Sequence, residues 1–84
     1  MDDIAGWRKR IDEIDEKILK LLNERAECAV EIGKIKSSKG LEITDQNREE
    51  SILKRLIAIN KGPLSDEAVQ KLFRCLIIES KNLE

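Results

Sequence analysis

Apolar residues along the first third of the chain fall at Ile4, Trp7, Ile11, Ile14, Ile18, Leu21, Cys28, Ile32 and Ile35. The steps alternate between three and four, a heptad repeat that predicts one long α-helix from about Asp2 to about Lys36. No proline interrupts it. Ser37-Ser38-Lys39-Gly40 ends it, with Gly40 suited to a left-handed C-terminal stop. A second stripe, Ile52, Leu53, Leu56, Ile57 and Ile59, predicts a helix that starts near Thr44 or Asp45, either of which can cap free N–H groups, and stops at Gly62-Pro63. A third, Val69, Leu72, Phe73, Leu76 and Ile77, predicts a helix that starts at Ser65 and runs to the chain end. Asp66 and Glu67 sit in its first turn, where the helix dipole favours acids. No strand alternation or internal repeat is visible. The expectation is an all-α chain of three helices, one long and two shorter, forming a single domain over residues 1–84.

Length then adds a constraint. A helix of about 35 residues is roughly 52 Å long, whereas a compact chain of 84 residues has a radius of gyration of about 12 Å. The first helix must overhang its own fold, and its apolar stripe continues into the overhang. A second copy of the chain is the default cover, so a helical homodimer is expected.

Composition narrows the function classes. Charged residues make up 39% of the chain and the net charge is -1, with lysine and arginine spread along the whole length. Trp7 and Phe73 are the only aromatics, so no basic block or stacking platform favours nucleic acid. No apolar run approaches the roughly 20 residues of a membrane span, and the acidic start Met1-Asp2-Asp3 argues against a secretory signal. There is no histidine, and Cys28 and Cys75 lack metal-ligand spacing. They are expected to be two buried thiols of a cytoplasmic protein.

Polar residues interrupt the apolar stripes on every helix. Arg25 takes the place of an isoleucine in the series Ile4, Ile11, Ile18, Ile32. Alone, it fits a register-setting residue of a coiled-coil seam, or an arginine that buries its stem and wets its head. Lys36 lies eleven residues later on nearly the same face, close enough for two long side chains to flank one small ligand. Arg48 and Glu49 open the apolar face of the second helix, and Asp45 precedes them, where it also serves as a cap. Ser80 and Glu84 extend the inner face of the third helix. A serine there is often bonded only to its own helix, and a terminal glutamate frays easily. Together these groups supply several cations and a few carboxylates, which suits a small ligand carrying carboxylates and a hydroxyl. Arg8 is 28 residues, or about 42 Å, from Lys36. It therefore serves either as an exposed residue or as part of a partner chain's site.

The spacing of Arg8, Ile11, Ile14, Asp15, Ile18, Leu21, Leu22 and Arg25, then Ile32, Gly33 and Lys36, then Asp45, Arg48 and Glu49, closely resembles the all-helical chorismate mutases over nearly the whole chain. The resemblance implies an intertwined helical dimer, free-standing or part of a bifunctional enzyme of aromatic amino-acid synthesis, that converts chorismate to prephenate without metal or cofactor. Carried over by position, Arg25 and the partner subunit's Arg8 hold the carboxylates. Lys36 reaches a carboxylate and the ether oxygen, and Arg48 supports the site electrostatically. Glu49, with the backbone near Asp45, binds the ring hydroxyl. Ser80 touches a carboxylate, and Ile32 and Ile77 form apolar walls. Glu84 stands where many members have glutamine, whose amide donates to the ether oxygen. A carboxylate donates only when protonated, so activity favouring mildly acidic pH is expected. An isochorismate-pyruvate lyase on the same fold and a non-catalytic dimerisation or effector-sensing module are the alternatives. The latter has no need of Arg25, Lys36 and Arg48 together.

Overall fold

The computed structural model describes residues 3–84. Three helices follow in order: α1 (Ile4–Lys39), α2 (Gln46–Ile59) and α3 (Asp66–Leu83). Asp2, where the apolar pattern starts the first helix, lies outside the described residues. Asp3 caps α1, its carboxylate accepting from Gly6 N at 2.6 Å. α1 runs three residues beyond the expected Lys36. Ser38 remains helical, and its hydroxyl donates back to Ile35 O at 2.9 Å. Gly40 then takes the left-handed conformation, φ 66°, and lets Leu41 N reach Lys36 O at 2.8 Å.

Asp45 caps α2, accepting from Arg48 N at 3.0 Å, and Ser65 caps α3, accepting from Ala68 N at 3.1 Å. Between these two helices Asn60 organises the turn. Its amide donates to Leu64 O and Asp66 Oδ1 and its carbonyl accepts from Gly62 N. The turn folds α3 back so that it packs on both α2 and α1.

The core is small. Ile52, Leu53 and Ile77 form its buried centre, with Leu56 and Phe73 half-buried against them; Val69 and Ala29 are also buried. Ile59 and Leu72, expected on inner faces, are exposed in the single chain, Leu72 directly beside the half-buried Phe73. Exposure is more extensive on α1. Every residue from Ile4 to Leu21 is exposed, including Trp7 at 64% and Ile11 at 54%. The molecule measures 56 Å along its longest axis, with a radius of gyration of 16.1 Å rather than about 12 Å. The expected overhang is present, and its apolar stripe is bare. Cys28 and Cys75 correct the expectation of buried thiols. Both are exposed: Cys28 lines an open cleft, and Cys75 lies on a face of α3 that the chain leaves uncovered.

Candidate active site

The C-terminal half of α1 and the facing parts of α2 and α3 enclose a cleft of ≈ 350 Å³. Its wall is built from Arg25, Cys28, Ala29, Ile32 and Lys36 of α1, Ile43 and Asp45 of the connection, Arg48, Glu49 and Ile52 of α2, and Ile77, Ser80, Lys81 and Glu84 of α3. This size falls in the range of small-molecule sites. Nine of the ten residues singled out from the sequence meet here: Arg25, Ile32, Lys36, Asp45, Arg48, Glu49, Ile77, Ser80 and Glu84. The tenth, Arg8, is exposed in the overhang of α1 and does not line this chain's cleft.

Arg25 is half-buried and donates to the Ser80 hydroxyl. Ser80 in turn donates to Leu76 O at 2.8 Å, the bond to its own helix anticipated for such a serine. The Arg25 guanidinium thus rests on a neutral oxygen. Among the described residues, neither Arg25 nor Arg48 has a carboxylate within ion-pair distance. A half-buried guanidinium with no carboxylate partner is suited to pairing with an anion.

Lys36 is held differently. Its ammonium donates to Ile43 O at 2.8 Å and to Glu84 Oε1 at 2.7 Å, with both side chains largely covered. The Glu84 backbone lies against Gly33, where a Cβ would come within 2.7 Å of Glu84 Cα and 2.9 Å of Glu84 O. The bare backbone at Gly33 therefore lets the end of α3 dock on α1 and delivers Glu84 to Lys36.

Glu49 faces Lys81, whose Nζ lies 2.7 Å from Glu49 Oε2. Lys81 was not singled out from the sequence. The available signal was its position one turn after Ile77 and beside Ser80 on the inner face of α3. Ile43 could not be found that way, because it contributes a backbone carbonyl. The wall as a whole carries four cations, Arg25, Lys36, Arg48 and Lys81, against three carboxylates, Asp45, Glu49 and Glu84. Among the described residues no cluster of three or more His, Cys, Asp or Glu has metal-holding geometry. Among the described residues no helix is long and apolar enough to cross a membrane.

Known proteins resemble this arrangement closely. A family model described as chorismate mutase type II matches residues 7–84. The chorismate mutase of Methanocaldococcus jannaschii is 40% identical over 85 residues, covering 100% of this chain and 86% of that one. The bifunctional chorismate mutase/prephenate dehydratase of Aquifex aeolicus is 41% identical over 90 residues, covering 96% of this chain and 25% of that one. This chain therefore spans about a quarter of the length of the bifunctional relatives. Among solved structures, form II of the chorismate mutase from Thermus thermophilus superposes with a TM-score of 0.93 at 40% identity, covering 95% of this chain and 91% of that one.

Proposed function

The chain belongs to the chorismate mutase type II family, and on that premise we propose that it rearranges chorismate to prephenate in the cleft between its three helices. The observation that carries the reading is the pair of uncompensated cations, Arg25 and Arg48, facing a small cleft. Chorismate is a dianion, and its two carboxylates supply the missing counter-charge.

The rearrangement is intramolecular. One C–O bond breaks as one C–C bond forms, and the electrons redistribute within the substrate. The work left to the protein is to hold a compact, chair-like conformer and to stabilise charge that grows on the ether oxygen. Arg25 grips one carboxylate with Ser80 beside it. The partner subunit's Arg8 grips the other. Lys36 spans a carboxylate and the ether oxygen. Its reach is fixed in advance by Ile43 O, which leaves the ammonium further donors. Glu84, when protonated, donates to the same ether oxygen from the other side. Both contacts strengthen as the bond breaks, so they accelerate the reaction rather than merely tighten binding. Arg48 adds positive potential. Glu49 and the backbone near Asp45 receive the ring hydroxyl, and Ile32 and Ile77 close the apolar sides.

The functional unit is a homodimer. The bare stripe from Ile4 to Leu21 supports this, as does the distance of about 42 Å between Arg8 and Lys36, which removes Arg8 from its own cleft. Residues 1–84 act as one domain, and the two free thiols suit the cytoplasm. The deciding experiment is incubation with chorismate while its loss is followed in the ultraviolet. Acceleration over the buffer reaction with prephenate as product is expected; a rate equal to buffer would sink the reading.

A further inference from the structure

Lys81 is the cation of the cleft that the proposed chemistry leaves without a task. It sits one helical turn beyond Ile77 on α3, and its Nζ lies 2.7 Å from Glu49 Oε2 on α2. The two side chains keep 30% and 27% of their surface exposed, so the pair is partly withdrawn from solvent. Glu49 Oε2 itself is buried, and no donor among the described residues meets it with hydrogen-bond geometry. Lys81 is close enough to balance the charge but lies off the hydrogen-bonding direction. The result is an oxygen whose charge is compensated while its lone pair stays open. Buried acceptors are rarely left in this state, and one that faces a cleft is suited to a ligand's O–H.

The charges of the wall point the same way. Arg25, Lys36, Arg48 and Lys81 outnumber Asp45, Glu49 and Glu84 by one. Without Lys81 the wall has no excess of positive charge. Glu49 would then stand as an unbalanced anion in a cleft that takes in a dianion, and like charges at such separations repel strongly where water is scarce.

Resting on the reading of the cleft as a chorismate site, we propose that Lys81 is a positioning residue: it holds the Glu49 carboxylate in place as acceptor for the substrate's ring hydroxyl and offsets that carboxylate's repulsion of the incoming dianion, without itself contacting substrate. Lys81 lies one turn from Ile77 on the same face of α3, so an aliphatic replacement keeps apolar cover there while removing the charge. The hydroxyl keeps its contact from ground state to transition state, so its loss is felt in binding more than in turnover.

The test is a double-mutant cycle of Lys81→Met and Glu49→Gln, read as KM and kcat for chorismate in the whole chain. Lys81→Met is expected to raise KM roughly tenfold with kcat within about twofold. Adding it to Glu49→Gln, which has no charge to balance, is expected to change KM no further. A further rise of about tenfold on the Glu49→Gln background would mean that Lys81 contacts substrate directly and would overturn the assignment. An unchanged KM in Lys81→Met overturns it as well, and a lowered melting temperature with that unchanged KM marks Lys81 as structural. A wild-type chain that does not turn over chorismate sinks the functional reading itself. An active wild type with additive variants sinks only the role of Lys81.

Discussion

Lys36 Nζ lies 2.7 Å from Glu84 Oε1, and this contact joins the last turns of α1 and α3 across 48 positions of the chain. Glu84 thereby occupies the wall of the cleft beside the cation assigned to the ether oxygen. Its carboxylate accepts from Lys36. In the proposed reaction the group at this position donates to the ether oxygen, a role that an amide fills without taking up a proton. Glu84→Gln should therefore keep or raise kcat/KM for chorismate, and Glu84→Ala should lower it by roughly 10²-fold. A Glu84→Ala variant with wild-type kcat/KM would remove Glu84 from the donor role.

Gly33 makes that contact possible. A methyl group at this position would come within 2.7 Å of Glu84 Cα, and the obstacle is backbone rather than a side chain that could swing away. Gly33→Ala should gain up to about 1 kcal/mol in helix propensity. It should lose more, about 1–3 kcal/mol, by pushing the end of α3 off α1. The expected outcome is a modestly lower melting temperature with a disproportionate loss of activity, because Glu84 and Ser80 move with the helix end. A variant that melts lower but keeps full kcat/KM would show that the close approach serves packing alone.

Arg25 separates binding from register. It is half-buried, and its hydrogen bond goes to a neutral hydroxyl. A half-buried cation with no carboxylate partner carries a desolvation cost that an apolar side chain removes. Arg25→Leu should therefore raise the melting temperature by a few degrees, about 4–8 °C per kcal/mol for a chain of this size. It should also lower kcat/KM by about 10²–10³-fold. A variant that changes its oligomeric state in gel filtration while keeping turnover would return Arg25 to the role of a seam residue.

The heptad pattern foretold α1, its overhang and its stop at Gly40, because a period of three and four in apolar positions is a direct signature of one helix face. It also made the misplaced charges visible, since Arg25 stands out only against the isoleucines around it. Lys81 escaped for the opposite reason. It lies near the polar end of α3, where a lysine resembles any solvated residue, and only the approach of Glu49 from α2 gives it meaning. The grip of Ile43 O on Lys36 was equally hidden, since a backbone carbonyl carries no mark in the side-chain code. The cysteines misled because apolar position was equated with cover; Cys28 lines the open cleft instead.

The proposed division of the site between chains has a quantitative consequence. Arg8 sits in the exposed overhang and Arg25 in the cleft, so the proposed site takes Arg25 from one chain and Arg8 from the other. Arg8→Ala alone and Arg25→Leu alone should each be nearly inactive as homodimers, because every site lacks one arginine. Mixed and allowed to exchange subunits in equal amounts, they form mixed dimers in about half of all pairings. Each mixed dimer has one site with both arginines and one with neither. Half of the dimers with half of their sites intact should give about a quarter of wild-type activity per chain. The assay follows chorismate loss after the two variants are unfolded together and refolded, with separately refolded samples as controls. Recovery near a quarter requires a site built across the dimer. Recovery no greater than the sum of the controls means that Arg8 is a surface residue and that each chain holds its whole site.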